Sequence, residues 1–167
     1  MKSNLLFDFT VDKNDNTVKV KREFSAGLDL VWDAWTKPEL LDQWWAPKPY
    51  RTETISMDFR EGGRWFYAMI SPEGVAHYCS NNYSEINPKK FYAGLDAFCN
   101  KDGEIDNSMP RTFWTNSFES NGKTTIVNIV AQYHSLEDLE KVIQMGFKEG
   151  FTMAMENLDQ YLDGQQL

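Results

Sequence analysis

Between Arg51 and Tyr133 the chain is cut at short intervals by residues that turn a backbone: Glu61-Gly62-Gly63, Pro72-Glu73-Gly74, Asn87-Pro88-Lys89, Asp102-Gly103 and Asn121-Gly122. Glycine supplies positive φ and proline presets its own, so such clusters end regular structure. The segments left between them, 51–59, 64–71, 75–86, 91–98, 112–120 and 123–133, have strand length and are rich in aromatic and β-branched residues. Strands joined in succession by tight turns pair antiparallel. The pattern therefore predicts a meandering antiparallel sheet. The longest irregular piece, Asn100 to Pro110, is polar and predicts a mobile connection at one end of it.

The flanks add helices. Leu5 to Val11 and Thr17 to Phe24 are split by Asp12-Lys13-Asn14-Asp15-Asn16, which predicts a β-hairpin. Leu28, Val31, Trp32 and Trp35 have helical spacing, and Pro38 opens a second short helix through Trp44. Near the C-terminus, Ser135-Leu136-Glu137-Asp138 reads as a serine cap followed by acids. From there one continuous helix of about 40 Å is expected to run to Leu162. Its stripe is Leu136, Leu139, Ile143, Phe147, Phe151, Ala154, Leu158 and Tyr161, with Lys141, Lys148, Thr152, Glu156 and Asp159 opposite. The fold class is α+β.

Charge and composition exclude several functions. The 167 residues carry 17 Lys and Arg against 25 Asp and Glu, a net charge of −8, and much of the acid lies on the C-terminal helix. Such a chain lacks the cationic surface that phosphates require, so no nucleic-acid partner is expected. No segment is apolar enough to span a bilayer, and the first residues lack a signal-peptide pattern; a cytoplasmic protein without a membrane association is expected. Cys79 and Cys99 show no CxxC spacing, and neither a disulfide, a metal site nor a cofactor is expected. No linker or repeat divides residues 1–167, which are read as one domain.

The run WTKPELLDQWW (Trp35 to Trp45), DFREGGRW (Asp58 to Trp65), EINP (Glu85 to Pro88) and GFTMAMENLDQYL (from Gly150) occur together and in order. In this the chain resembles the domain named after the activator of Hsp90 ATPase, within the START-like, helix-grip superfamily. The resemblance covers about residues 18–162 and leaves the strand at about 5–11 outside the family core. It implies a β-α-α-β6-α helix-grip fold, with a curved sheet around the long C-terminal helix and a cavity between them. Two departures are Phe151, where tryptophan usually follows the glycine, and the His77, Cys79, Ser80, Asn81 stretch, where a glycine is common.

The resemblance and strand alternation together suggest which residues line that cavity. Trp65, Tyr67 and Met69 share one strand face, and Tyr83, Phe91, Trp114, Phe147, Phe151 and Met155 offer flat or adaptable apolar surfaces. Trp35, Trp44 and Trp45 either seal one end of the core or form an apolar lip at the mouth. Gly146 and Gly150, one turn apart on the expected helix, either admit a strand aromatic or leave a groove. Gly150→Ala is expected to overpack there, and Gly146→Ala to leave stability unchanged while narrowing the groove. His77 shares strand parity with Cys79, but no third group orients the pair for catalysis, and no enzyme motif is present. The leading expectation is a protein that binds a small apolar or aromatic molecule, as a monomer or homodimer. The alternatives are an Hsp90-type co-chaperone or stress-related interaction module, and a cyclase- or hydrolase-like enzyme on a hydrophobic substrate.

Overall fold

In the computed structural model, which describes residues 5–165, the elements in chain order are β1 (Phe7–Asp12), β2 (Thr17–Phe24), α1 (Leu28–Thr36), α2 (Pro38–Trp44), β3 (Arg51–Met57), β4 (Arg64–Ile70), β5 (Ala76–Asn87), β6 (Phe91–Cys99), β7 (Phe113–Asn121), β8 (Thr124–Gln132), α3 (Leu136–Gln144) and α4 (Phe147–Gly164). The strands form one antiparallel sheet in the order β1-β2-β8-β7-β6-β5-β4-β3. This is the helix-grip arrangement that the resemblance implies, built on the antiparallel sheet that the turn clusters predict. Residues 1–4 of the expected N-terminal reading lie outside the described residues. Register shifts at Thr54/Ser56 and Tyr83/Glu85 are β-bulges, which bend β3 and β5.

The inner sheet face follows strand alternation. Val18, Val20 and Phe24 of β2, Trp65 and Tyr67 of β4, Trp114 and Phe118 of β7, and Val127, Ile129 and Ala131 of β8 are all buried. They pack against Trp32 and Trp35 of α1, Leu41 and Trp44 of α2, and Phe151, Met155, Leu158 and Leu162 of α4. Polar groups fix the helices to one another. Asn157 Nδ2 donates to the Ala46 carbonyl at 2.9 Å, and Trp44 Nε1 to the Ala34 carbonyl at 2.9 Å. Asp159, expected on the solvent side, instead accepts from Arg22 of β2 in a nearly buried ion pair. Its position one turn from Met155 brings it to the edge of the buried stripe.

The long C-terminal helix is broken. Ser135 caps α3 by accepting from the Asp138 N–H at 3.1 Å, but α3 stops at Gln144 and Gly146 takes φ +91°. That conformation is open to glycine and unfavourable for residues with a Cβ, so Gly146 is a hinge between two helices and not an interior position of one. Gly150 closes the first turn of α4, its N–H donating to the Gly146 carbonyl, and a methyl built there would meet Pro47 Cγ at 3.7 Å, an ordinary contact. Both substitution expectations therefore reverse. Gly150→Ala should stabilise by about 1 kcal/mol through helix propensity, and Gly146→Ala should destabilise by about 1–2 kcal/mol through its left-handed backbone. Urea midpoints of the two variants check this pair.

The connection after β6 is not loose. The Asn100 side-chain carbonyl accepts from the Asp102 and Glu104 N–H groups, each at 2.9 Å, and Cys99 and Ile105 form a β-bridge. Arg64 reaches the Gly103 carbonyl at 2.7 Å, while Asp58 pairs with Arg60 at 2.6 Å. Arg64 pairs across the sheet with Asn82 and projects over Phe66, which carries its guanidinium toward the 100–110 segment. No helix among the described residues is long and apolar enough to cross a membrane.

Candidate functional site

Where α3 gives way to α4, the helices stand off the sheet and leave a cleft of about 280 Å³. Its sheet side consists of Tyr67 and Met69 of β4, Cys79 of β5, Asp96 and Phe98 of β6, and Trp114 of β7. Its helix side consists of Val142, Met145, Gly146, Phe147, Gly150, Phe151 and Ala154, and Trp45 and Pro47 close one flank. The aromatic walls support one another: Trp114 stacks on Phe151 at 5.9 Å, and Phe151 on Phe147 at 5.3 Å. Phe9 of β1, the strand outside the family core, backs Phe147 at 6.1 Å.

The candidates from the sequence divide accordingly. Trp45, Tyr67, Met69, Trp114, Gly146, Phe147, Gly150 and Phe151 line the cleft. Trp35 and Trp44 are each 1% exposed and belong to the core, in edge contact at 4.9 Å, so the three tryptophans do both jobs: two seal the core and Trp45 forms a wall. Met155 is fully buried beneath α4, and Tyr83 packs on Phe59 at 4.9 Å away from the cleft. Phe91 has the opposite strand parity to Tyr92, Gly94 and Asp96, so it faces away from the cleft. His77 is exposed beside Tyr50, 6.1 Å between rings. Trp65 touches only a small inner recess next to the cleft, lined also by Trp45, Tyr67, Asn81, Asp96, Trp114 and Asn116.

Asp96 is the functional group that the sequence reading passed over. It sits in FYAGLDAFC, an acid at an inward position of an otherwise apolar strand, and that mismatch was the available signal. Its carboxylate accepts from the Thr112 backbone N–H and from Trp114 Nε1–H, each at 2.7 Å. Burial pushes its pKa up to about 6, against the lowering effect of those two donors and of Arg111. Burial also pushes Cys79 and Tyr133 up to about 12 and Tyr67 well above the usual phenol range. Around neutral pH the cleft thus holds neutral phenols, a neutral thiol and one carboxyl poised to titrate. Among the described residues no group of three His, Cys, Asp or Glu side chains is placed to hold a metal ion.

The shift in Asp96 has a consequence for stability. Folded, this carboxyl titrates near 6; its ordinary value is 3.8. Between those values the folded protein retains a proton that the unfolded chain has released, so stability falls as pH rises through 6. From pH 5 to pH 7 the expected loss is about 1 kcal/mol. Asp15, Glu23 and Asp106, whose pKa values are lowered by hydrogen bonds from Thr17, Thr124 and Ser108, act only in more acidic solution. Urea unfolding at both pH values should show this slope in the parent and lose it in Asp96→Asn.

The sequence model of the Activator of Hsp90 ATPase homolog 1-like protein family matches residues 25–163. A solution structure from Staphylococcus epidermidis is 30% identical, with TM-score 0.82 over 95% of each chain. One from Arthrobacter aurescens is 25% identical, with TM-score 0.89 over 94% of this chain and 91% of that one. A crystal structure from Mycobacterium smegmatis is also 25% identical, with TM-score 0.86 over 95% and 96%. No curated protein matches.

Proposed function

Because the chain belongs to the Activator of Hsp90 ATPase homolog 1-like protein family, we propose that it uses the sheet-helix architecture of that family to bind a small apolar or aromatic molecule in the cleft beneath α3 and α4. The single observation that carries this reading is the cleft itself: about 280 Å³ bounded by Trp45, Trp114, Phe147 and Phe151, where close packing would otherwise fill the space. Half-exposed Phe147 and exposed Met145 at the hinge put apolar surface at the rim, which favours entry of an apolar guest. Binding is preferred over nucleophilic catalysis because the Cys79 thiol is held in its neutral form and His77 does not face it across the cleft. The co-chaperone alternative draws on the family name alone.

Filling the space tests the reading. Ala154 is buried in the cleft wall, and Ala154→Phe should place a ring where the guest would sit. Saturable binding of an environment-sensitive naphthalene dye should weaken by tenfold or more (about 1.4 kcal/mol), with the thermal midpoint unchanged or raised. Unaltered dye affinity in the folded variant would move the dye to the surface and remove support for the cleft.

A further inference from the structure

We propose, resting on that reading of the cleft, that its inner recess is a seat for a primary ammonium group, and that the guest is an apolar amine. The recess has a volume of about 10 Å³, room for one water-sized group. The indole N–H groups of Trp45, Trp65 and Trp114 on its wall are already donated, to Tyr67, Thr54 and Asp96, and acceptor oxygens stand beside them. Asn81 is 9% exposed and Asn116 3% exposed, and the side-chain oxygen of each is buried with no hydrogen-bond donor. Asp96 contributes a carboxylate to the same recess. Buried acceptors without donors are costly, so two such amide oxygens, lining one small space with a carboxylate whose oxygens each hold a single donor and keep a lone pair, define what belongs there.

A protonated primary amine presents three N–H donors and a positive charge, and its head is the size of a water molecule. It matches the three acceptors in number and Asp96 in charge. Among the described residues no Lys or Arg forms an ion pair with Asp96, and Arg111 directs its Nε at the Asp96 backbone carbonyl, 2.9 Å away. Trp45, Trp65, Tyr67 and Trp114 surround the recess with aromatic rings, which attract a cation through their faces. A carboxylate guest would meet Asp96 as a like charge in a site of low dielectric. A trimethylammonium head exceeds the space.

The seat depends on ionised Asp96. The titratable or charged groups facing it are Tyr67 from β4, Cys79 from β5, Tyr133 after β8 and Arg111 beside it, and the first three remain neutral as Asp96 titrates. An alkylamine, like lysine, stays protonated well above neutral pH. Amine binding should therefore weaken about tenfold from pH 7 to pH 5 as Asp96 takes up its proton, with the affinity for an uncharged analogue changing far less.

Calorimetric titration of the full chain with octylamine, 1-octanol, octanoate and octyltrimethylammonium, all below their aggregation concentrations, tests the proposal. The expected order is octylamine at least tenfold tighter than 1-octanol, with the other two weaker than the alcohol. In Asp96→Asn the amine-to-alcohol ratio should fall to about one; if that variant fails to fold, the pH dependence of the same ratio in the parent protein serves instead. Binding of 1-octanol with no preference for the amine, at either pH, would leave the apolar cleft standing and overturn the ammonium seat, assigning the recess to water. Binding of none of the four would overturn both readings.

Discussion

Gly94→Ala is expected to destabilise the protein by about 3 kcal/mol, the upper end of the cost of forcing extra volume into a packed interior. A Cβ on Gly94 would lie 2.2 Å from Asn81 Oδ1 and 2.8 Å from the Asn82 carbonyl oxygen. The first contact can be relieved by displacing a side chain, but the second is with the backbone of β5. The strands have little freedom to part, because Gly94 pairs with Tyr83 on one side and Trp114 on the other. Asn81→Ala in the same chain should restore only part of the loss, since it removes the side-chain clash and leaves the backbone clash. Urea unfolding of the two single variants and the double variant measures this. Parent-like stability of Gly94→Ala would mean that Asn81 does not lie across β6, and the inner recess would lose one of its walls.

Breaking the Arg22–Asp159 pair should cost as much or more. Arg22 is 5% exposed; it donates to Asp159 and to the Glu23 carbonyl at 2.7 Å, and its guanidinium lies over Phe7 at 5.0 Å and Phe24 at 4.9 Å. Arg22→Met would leave the Asp159 carboxylate nearly buried without this cation, with an expected loss of about 3–5 kcal/mol. The double variant Arg22→Met/Asp159→Leu should recover most of it, because two buried ions return little net energy over two apolar side chains of similar size. A double variant no better than the single one would show that the pair is required in itself to dock α4 on β2.

The sheet was legible because its turns are chemically marked: each cluster containing glycine or proline between Glu61 and Gly122 falls where a strand ends or a connection turns. The break between α3 and α4 was not legible, since its apolar stripe continues through it; both Leu139 before the hinge and Phe151 after it are buried, so periodicity alone cannot register the positive φ of Gly146. Neighbouring tryptophans posed a similar problem. Trp44 and Trp45 differ by about 100° around α2, and only the packed sheet decides that the first is core and the second a cleft wall.

Within the site, alternation identified Tyr67, Met69 and the inner face of β4. Phe91 was misplaced by choosing an aromatic residue without applying the same parity to β6, which points Tyr92 and Asp96 inward instead. Pro47 and Met145 were not readable at all, because they enter the cleft through the α2–β3 connection and the helix break, where neither strand nor helix periodicity applies.

Tryptophan indole resonances give the most direct test of the central claim, that an apolar guest occupies the cleft and nowhere else. Trp45 Nε1 donates to the Tyr67 hydroxyl at 3.1 Å and Trp114 Nε1 to Asp96, so both report on the cleft walls, while Trp32, Trp35 and Trp44 are buried in the core and do not line the cleft. In a two-dimensional ¹⁵N–¹H titration with naphthalene, the indole peaks of Trp45 and Trp114 should shift saturably at one common affinity, with those of Trp35 and Trp44 nearly fixed. Saturable binding that leaves Trp45 and Trp114 unmoved, or no saturable shift in any indole, would contradict the account.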